Sequence, residues 1–125
     1  MLRRGEIVLI PIPFTDLTSS KKRPVLILSS DSYNESTEDI IVAAITSNLD
    51  NVTHAVKITN DDLADGKLLL DSCVRADKLY TLSQTIAIKK FGTVKDSILE
   101  AVTENILNIL DSEHISERGS CYEKC

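Results

Sequence analysis

The repeat of the apolar residues changes once along this chain, and that change limits the folds open to it. Over the first two-thirds they come in short runs rich in β-branched residues, cut by prolines and polar stretches. Over the last third, Val94, Ile98, Val102, Ile106 and Leu110 recur every four residues, joined by Ala101 and Leu107. The first pattern predicts strands and the second an amphipathic helix. Strands are expected at Glu6–Pro11, Val25–Leu28, Ile40–Thr46, Val52–Ile58, around Ser72–Tyr80 and at Thr85–Phe91. Pro11 and Pro13 end the first, and Pro24 opens the second, where its missing N–H does least harm. Thr15–Lys22 and Asp31–Glu38 read as polar loops, and Asp61–Ala64 as a helical turn closed by Gly66. In Val52–Ile58, His54, Val56 and Ile58 alternate with Thr53, Ala55 and Lys57, so His54 is expected to be structural. Thr93, three residues before Asp96, resembles a capping box for the final helix. Roughly five to seven strands followed by one helix imply a mainly β (α+β) fold: a small, strongly bent sheet or barrel carrying a helix.

A chain of 125 residues has room for one core. Residues 1–111 are expected to form the domain, and 112–125 a polar C-terminal tail. The longest apolar stretch, around Ile40–Ile45, is far short of the roughly 20 residues a bilayer requires. The apolar run behind Arg3 and Arg4 is broken by proline and lacks a small-residue cleavage site, so no signal peptide is read. Cys73 sits in an apolar strand pattern and is expected in the core. Cys121 and Cys125 lie in the tail near His114, at a spacing that matches no zinc pattern, so no metal is expected. Reduced thiols and a cytoplasmic setting fit this usage. The net charge of −5 excludes a protein that coats nucleic acid generally. Its distribution is uneven: residues 1–30 hold five cations against two acids, and the remainder nine against seventeen. A basic start on an acidic body allows one local phosphate site.

Four residues stand out as candidates for chemistry. Arg23 ends a polar loop and begins a buried strand, and its planar guanidinium can bind two phosphate oxygens at once, although by itself it reads more readily as a surface arginine capping a strand. Thr46 closes the most apolar strand, where a hydroxyl is held rigidly, although such a residue also commonly starts a turn. Arg75 and Asp77 lie two apart in a strand pattern and so share a face, as a plain ion pair or as an acid–base and charge-stabilising pair. There is no glycine-rich phosphate loop, no nucleophile elbow and no carboxylate cluster for a metal.

The segments Gly5-Glu6-Ile7-Val8-Leu9-Ile10-Pro11-Ile12-Pro13-Phe14-Thr15-Asp16-Leu17 and Lys22-Arg23-Pro24-Val25-Leu26-Ile27-Leu28-Ser29 resemble the opening of MazF/PemK-like toxins. Ala44-Ile45-Thr46-Ser47, Ser72–Leu82 and Phe91-Gly92-Thr93 agree with later stretches of that family in the same order, so the resemblance covers roughly residues 4–111. It implies an SH3-like small β-barrel with a C-terminal α-helix, the fold shared by CcdB and MazF toxins. It also implies a homodimer, a groove for single-stranded RNA at the dimer interface and a cognate antitoxin protein that blocks it. The implied activity is metal-independent, cofactor-free endoribonuclease cleavage at short motifs, leaving a 2′,3′-cyclic phosphate and a 5′-hydroxyl.

Carried over by position, Arg23 matches the family's loop-end arginine, Thr46 its strand-end threonine, Gly5 its turn glycine, and Arg75 and Asp77 the pair found in some members. Lys21, Lys22, Phe14, Thr15, Ser47 and Asn48 flank these positions as candidates for RNA binding. On this reading Asp77 takes the 2′-hydroxyl proton, Arg23 or Arg75 supplies charge and the leaving-group proton, and Thr46 orients the phosphate. Arginine is a poor acid at its ordinary pKa. Residues 12–22 also lack the loop histidine of some members, which leaves the acid unassigned. The main rival is a CcdB-like toxin that poisons DNA gyrase through the far end of its helix, which is bulky and aromatic there and Ser112-Glu113-His114-Ile115 here. An inactive antitoxin-binding module is a third possibility, against which both arginines, Thr46 and Asp77 weigh.

Overall fold

Three strands of this protein read as continuous apolar runs because the middle of the sheet they form is covered on both faces. A computed structural model describes residues 2–12, 21–50 and 53–111. In chain order it contains β1 (Glu6–Ile12), β2 (Lys21–Ile27), α1 (Asp31–Ser36), β3 (Asp39–Thr46), β4 (Ala55–Ile58), β5 (Leu63–Gly66), β6 (Ser72–Ser83), β7 (Lys89–Val94) and α2 (Asp96–Leu110). Among the described residues these strands make one sheet, in the order β4-β6-β3-β2-β1-β7-β5, and every pairing is antiparallel. The sheet curls into a half-barrel, as the sequence pattern and the family resemblance predict.

One face holds Ile7, Leu26, Ala43, Ile45 and Val74 against Ile98, Leu99 and Val102 of α2. Burying a side chain of this size contributes about 1.5–3 kcal/mol. Those three residues, rather than end capping, hold α2: its N-cap is Lys95, which makes no side-chain capping bond. The other face buries Val8, Ile10, Val25, Ile27, Ile40 and Val42, closed over by Tyr80, Leu82 and Ile86. Cys73 is buried, as expected of a core thiol.

Local chemistry departs from the sequence pattern at five places. Asp31–Glu38 is not a loop: Asp31–Ser36 forms α1, because the Ser30 hydroxyl accepts the Tyr33 N–H and Asp31 favours the first turn. Its Asn34 is buried and bonded to the Ser29 hydroxyl and to the carbonyls of Leu2 and Ser29. Asp61–Ala64 is split, with a 3-10 turn at Asn60–Asp62 followed by β5. The capping box lies there, between Thr59 and Asp62, while Thr93 belongs to β7. Thr85 and Ile86 fall in a second 3-10 turn, so the last strand runs Lys89–Val94 instead of Thr85–Phe91. His54 precedes β4, exposed and with φ of 56°, and so does not share the inward face of Ile58. The tail expected over 112–125, with His114, Cys121 and Cys125, lies outside the described residues.

Two irregularities position the candidate site. β3 pairs Ala43 with Leu79 but Ala44 with Arg75, so three residues of β6, 76–78, bulge out of the ladder, and the Ala76 N–H bonds the His54 carbonyl instead. At the other end of the sheet, Gly66 of β5 pairs with Gly92 of β7. A Cβ on Gly66 would run into the Phe91 carbonyl and the Gly92 Cα, and one on Gly92 into the Asp65 carbonyl. Gly66 also has φ of +88°, a conformation that glycine adopts at little cost. Only paired glycines let these backbones come so close, and that approach holds Phe91 and the segment after Gly66 in place.

Candidate active site

Arg23 is the third residue of β2, a strand that begins earlier than the sequence pattern suggests, at Lys21. β2 pairs with β1 along Lys21–Leu26 but with β3 only from Val25 onward. Pro24 therefore sits where the strand has one neighbour, and its missing N–H breaks no ladder. Beyond that point the β1–β2 ribbon leaves the sheet and carries Arg23 past the end of β3, where Thr46 is the last residue. The register that pairs Val25 with Ala44, carried two residues on, brings Arg23 alongside Thr46.

Both residues line one cavity of about 330 Å³ at this end of the sheet. Lys22, Ser47 and Ser72 add polar groups to it, and Pro24, Leu68 and Phe91 apolar wall. Among the described residues no aspartate or glutamate lines it. Arg23 is exposed, and among the described residues its guanidinium has no ion-pair or hydrogen-bond partner. The Thr46 hydroxyl accepts the Asn48 N–H at 3.1 Å. That bond fixes the oxygen and leaves its O–H free to donate. The Asn48 carboxamide oxygen in turn accepts the Asp50 N–H at 3.0 Å, which stiffens the turn below the cavity.

Arg75 and Asp77 meet, but as a closed pair. The Arg75 Nε donates to Asp77 Oδ1 at 3.0 Å and a terminal nitrogen donates to Oδ2 at 2.8 Å, with each side chain 29 % exposed. This hydrogen bonding raises the Arg75 guanidinium above its ordinary pKa, and the same bonds hold the Asp77 carboxyl below the usual range. Neither residue lines the Arg23–Thr46 cavity. The link between the two sites is the ladder itself. Arg75 pairs with Ala44, two residues from Thr46, so Arg75, Thr46 and Arg23 project from the same face of the sheet in neighbouring rows.

Lys22 is exposed beside Arg23, Ser47 lines the cavity, and Asn48 supports its turn. Lys21 starts β2, but its side chain, with Phe14 and Thr15, lies outside the description. Ser112–Ile115, on which a gyrase-poisoning reading would depend, lies outside it too. Leu68, Leu69, Leu70 and Phe91 were not singled out from the sequence as site residues, yet all four line the cavity. A signal was present: three consecutive leucines flanked by polar residues fit neither a strand nor a helix period. Among the described residues no helix is long and apolar enough to cross a membrane.

Comparison with known proteins agrees with this fold. Residues 3–110 match the family described as PemK-like, MazF-like toxin of type II toxin-antitoxin system. Endoribonuclease MazF2 of Mycobacterium bovis is 31 % identical over 94 residues, covering 74 % of this chain and 81 % of that protein. Endoribonuclease MazF6 of Mycobacterium tuberculosis matches to the same extent. Among solved structures, a mycobacterial endoribonuclease in complex with its cognate antitoxin superposes with a TM-score of 0.72 at 19 % identity, over 88 % of this chain and 95 % of that one. A MazE–MazF complex from Deinococcus radiodurans gives 0.71 at 22 % identity, over 87 % and 95 %. These structural likenesses speak for the fold, while the family match spans nearly the whole described chain. The chain belongs to the PemK-like, MazF-like toxins of type II toxin–antitoxin systems.

Proposed function

We propose that this protein is the toxin of a type II toxin–antitoxin pair and an endoribonuclease that cuts single-stranded RNA without a metal ion. The observation that carries the site assignment is the meeting of Arg23 and Thr46 at one cavity that no acid lines among the described residues, where the guanidinium and the Thr46 O–H have no partner among those residues. Together they offer a fork of N–H donors and one O–H donor to a phosphate whose negative charge grows during reaction.

The reaction that suits this site is attack of the ribose 2′-oxygen on the adjacent phosphorus. The P–O5′ bond breaks, leaving a 2′,3′-cyclic phosphate and a 5′-hydroxyl. One proton leaves the 2′-oxygen and one reaches the departing 5′-oxygen. Arg23 stabilises the pentacovalent phosphate and Thr46 orients it. In the free protein Arg75 occupies both Asp77 oxygens, which makes Asp77 a weak base. A phosphate arriving beside Arg75 competes for the guanidinium, and the carboxylate so released accepts the 2′-hydroxyl proton. The need for that hydroxyl restricts the substrate to RNA.

The toxin domain spans residues 1–111 with 112–125 as a tail. The protein acts in the cytoplasm as a homodimer, held inactive by a cognate antitoxin. Incubation with a long single-stranded RNA in EDTA, with mapping of new 5′ ends, tests the activity. Cuts at a recurring short motif, bearing 5′-hydroxyls and lost in Arg23→Ala, are the expected result. Cuts that persist in Arg23→Ala would shift the chemistry to Arg75 and Asp77, and no cutting by the folded protein would remove the ribonuclease reading.

A further inference from the structure

We propose that the apolar wall of the Arg23–Thr46 cavity is a subsite for one nucleobase, the one next to the cleaved phosphate, and that Leu69, Leu70, Phe91 and Ser72 select it. This inference rests on the ribonuclease reading and adds to it the place where sequence is read. The lining of the cavity is of two kinds: Lys22, Arg23 and Thr46 supply cations and a hydroxyl, and Leu68–Leu70 and Phe91 an apolar wall. A nucleotide divides in the same way, into an anionic phosphate and a flat apolar face. At about 330 Å³ the space lies at the lower end of small-ligand pockets, enough for one nucleotide and not a run of them.

The apolar wall carries the marks of a recognition surface. Leu69 is 89 % exposed and Leu70 64 % exposed, although the chain has ample polar residues for such a position. Their segment is nevertheless held rigidly. The Leu68 N–H donates to the Asn60 side-chain oxygen at 2.7 Å, and the Leu68 carbonyl accepts from the Asn60 side-chain nitrogen at 3.3 Å. The Gly66–Gly92 approach fixes the segment's base, and the Lys67 N–H bonds the Phe91 carbonyl. Exposed leucines that have already lost their backbone freedom bind with a smaller ordering cost. Phe91 offers a ring face, and Lys89 lies 5.5 Å from its centroid, which adds positive charge beside the wall. A base fits such a wall because every base presents an apolar face for stacking.

Selection among bases falls to Ser72. Its side chain is nearly buried, lines the cavity, and donates its one hydrogen to the Leu70 carbonyl at 3.0 Å. What it presents to the cavity is therefore acceptor lone pairs. A base that turns an N–H edge toward Ser72 is bound, and one that turns a carbonyl there meets an acceptor with an acceptor.

The test uses the full chain and two readouts. Nuclear magnetic resonance titrations with the four nucleoside 3′-monophosphates, and with inorganic phosphate alone, report binding whether or not RNA is cut. The expected result is that phosphate moves the resonances of Lys22, Arg23 and Thr46, and nucleotides also move those of Leu69, Leu70, Ser72 and Phe91. Affinity should differ among the four bases and fall about tenfold in the Leu69→Ser, Leu70→Ser double variant. Mapping of RNA cuts should show preference relaxed at a single motif position in that variant and in Ser72→Ala. Nucleotide shifts indistinguishable from those of phosphate, or an unchanged motif in both variants, would overturn the subsite and leave the ribonuclease standing. Nucleotide binding at the leucines by a protein that cuts no RNA would uphold the subsite and remove the ribonuclease.

Discussion

Gly92→Ala is the smallest change that tests how this fold holds its site. Gly92 faces Gly66 across β5 and β7, and an added methyl group would strike the Asp65 carbonyl and approach the Gly66 Cα and Asp65 carbonyl carbon. These are backbone atoms of a paired strand, so no rotamer change relieves the clash. Overpacking by one or a few methylenes costs about 1–3 kcal/mol where side chains can yield. Against backbone the upper part of that range applies, about 3 kcal/mol. For a chain of this size that is a fall of roughly 10 °C in Tm, at about 4 °C per kcal/mol. The alternative is for β5 to move away from β7, which releases the Lys67 N–H from the Phe91 carbonyl and opens the wall of the cavity. Urea unfolding of Gly92→Ala beside wild type measures the first effect. RNA cleavage at a temperature where both are folded measures the second, expected as a raised KM. Gly66→Ala should be worse by about 1–2 kcal/mol, because the left-handed backbone cost adds to the clash. A Gly92→Ala protein within 0.5 kcal/mol of wild type, with KM unmoved, would refute the argument that this close approach holds the site.

Thr46→Val keeps the shape of the side chain and removes its O–H. Cleavage should fall by roughly 10- to 100-fold in kcat with little change in KM, since the donated bond matters most to the transition-state phosphate; single-turnover kinetics check this. Asp77→Asn breaks an ion pair worth about 0.2–1 kcal/mol at neutral pH. The Asp77 pKa is depressed in the folded state, so its contribution is present above the unfolded value of about 3.9 and lost as pH falls below it. Urea midpoints of wild type and Asp77→Asn should therefore differ at pH 7 and converge as the pH falls through the lowered folded pKa. RNA binding should depend weakly on salt, with a log–log slope near −2, since Arg23, Lys22 and Arg75 are the cations placed for phosphate and each contributes about −0.7 on a single strand. A slope several times steeper would mean that RNA meets far more of the surface.

The fold was legible where hydrophobic period and burial agree. The Ile40–Thr46 run and the four-residue repeat of α2 each have one consistent reading, and both faces of β3 and the inner face of α2 are buried as those readings require. The departures sit where short-range capping competes with period. Ser30 and Asp31 start α1 through one hydroxyl–amide bond, and Thr59 and Asp62 close a 3-10 turn in the same way. Such signals occupy three or four residues and carry no repeat. Thr85 and Ile86 have strand-forming side chains, but the Ser83 hydroxyl caps the turn that contains them. The candidate site was legible at Arg23 and Thr46 because each stands at the boundary of an apolar strand, a position visible in one dimension, and the structure brings both to one cavity. Leu69 and Leu70 escaped notice because their meaning depends on Gly66 and Gly92, some twenty-five residues apart in sequence, placing their loop beside Phe91. Spacing also put Arg75 and Asp77 together, but only the structure shows that the bulge at 76–78 leaves them bound to each other.

An acidic chain that handles RNA has to resolve a conflict between its net charge and its substrate, and the ladder of this sheet shows how. Over most of the surface an excess of acids repels a phosphate backbone, which disfavours indiscriminate binding. At the end of β2 and β3 the balance reverses within a few residues, because Lys22 and Arg23 line the cavity there and, among the described residues, no carboxylate does. The Asp77 carboxylate, on the bulge next to that row, is neutralised by Arg75. Attraction is thus confined to a space of one nucleotide, and long-range repulsion is overcome only by an RNA that also gains the apolar contacts of Leu69, Leu70 and Phe91. Charge decides where the strand is held and apolar shape decides which strand stays. A toxin that must cut at short motifs without trapping every RNA in the cell requires that division of labour.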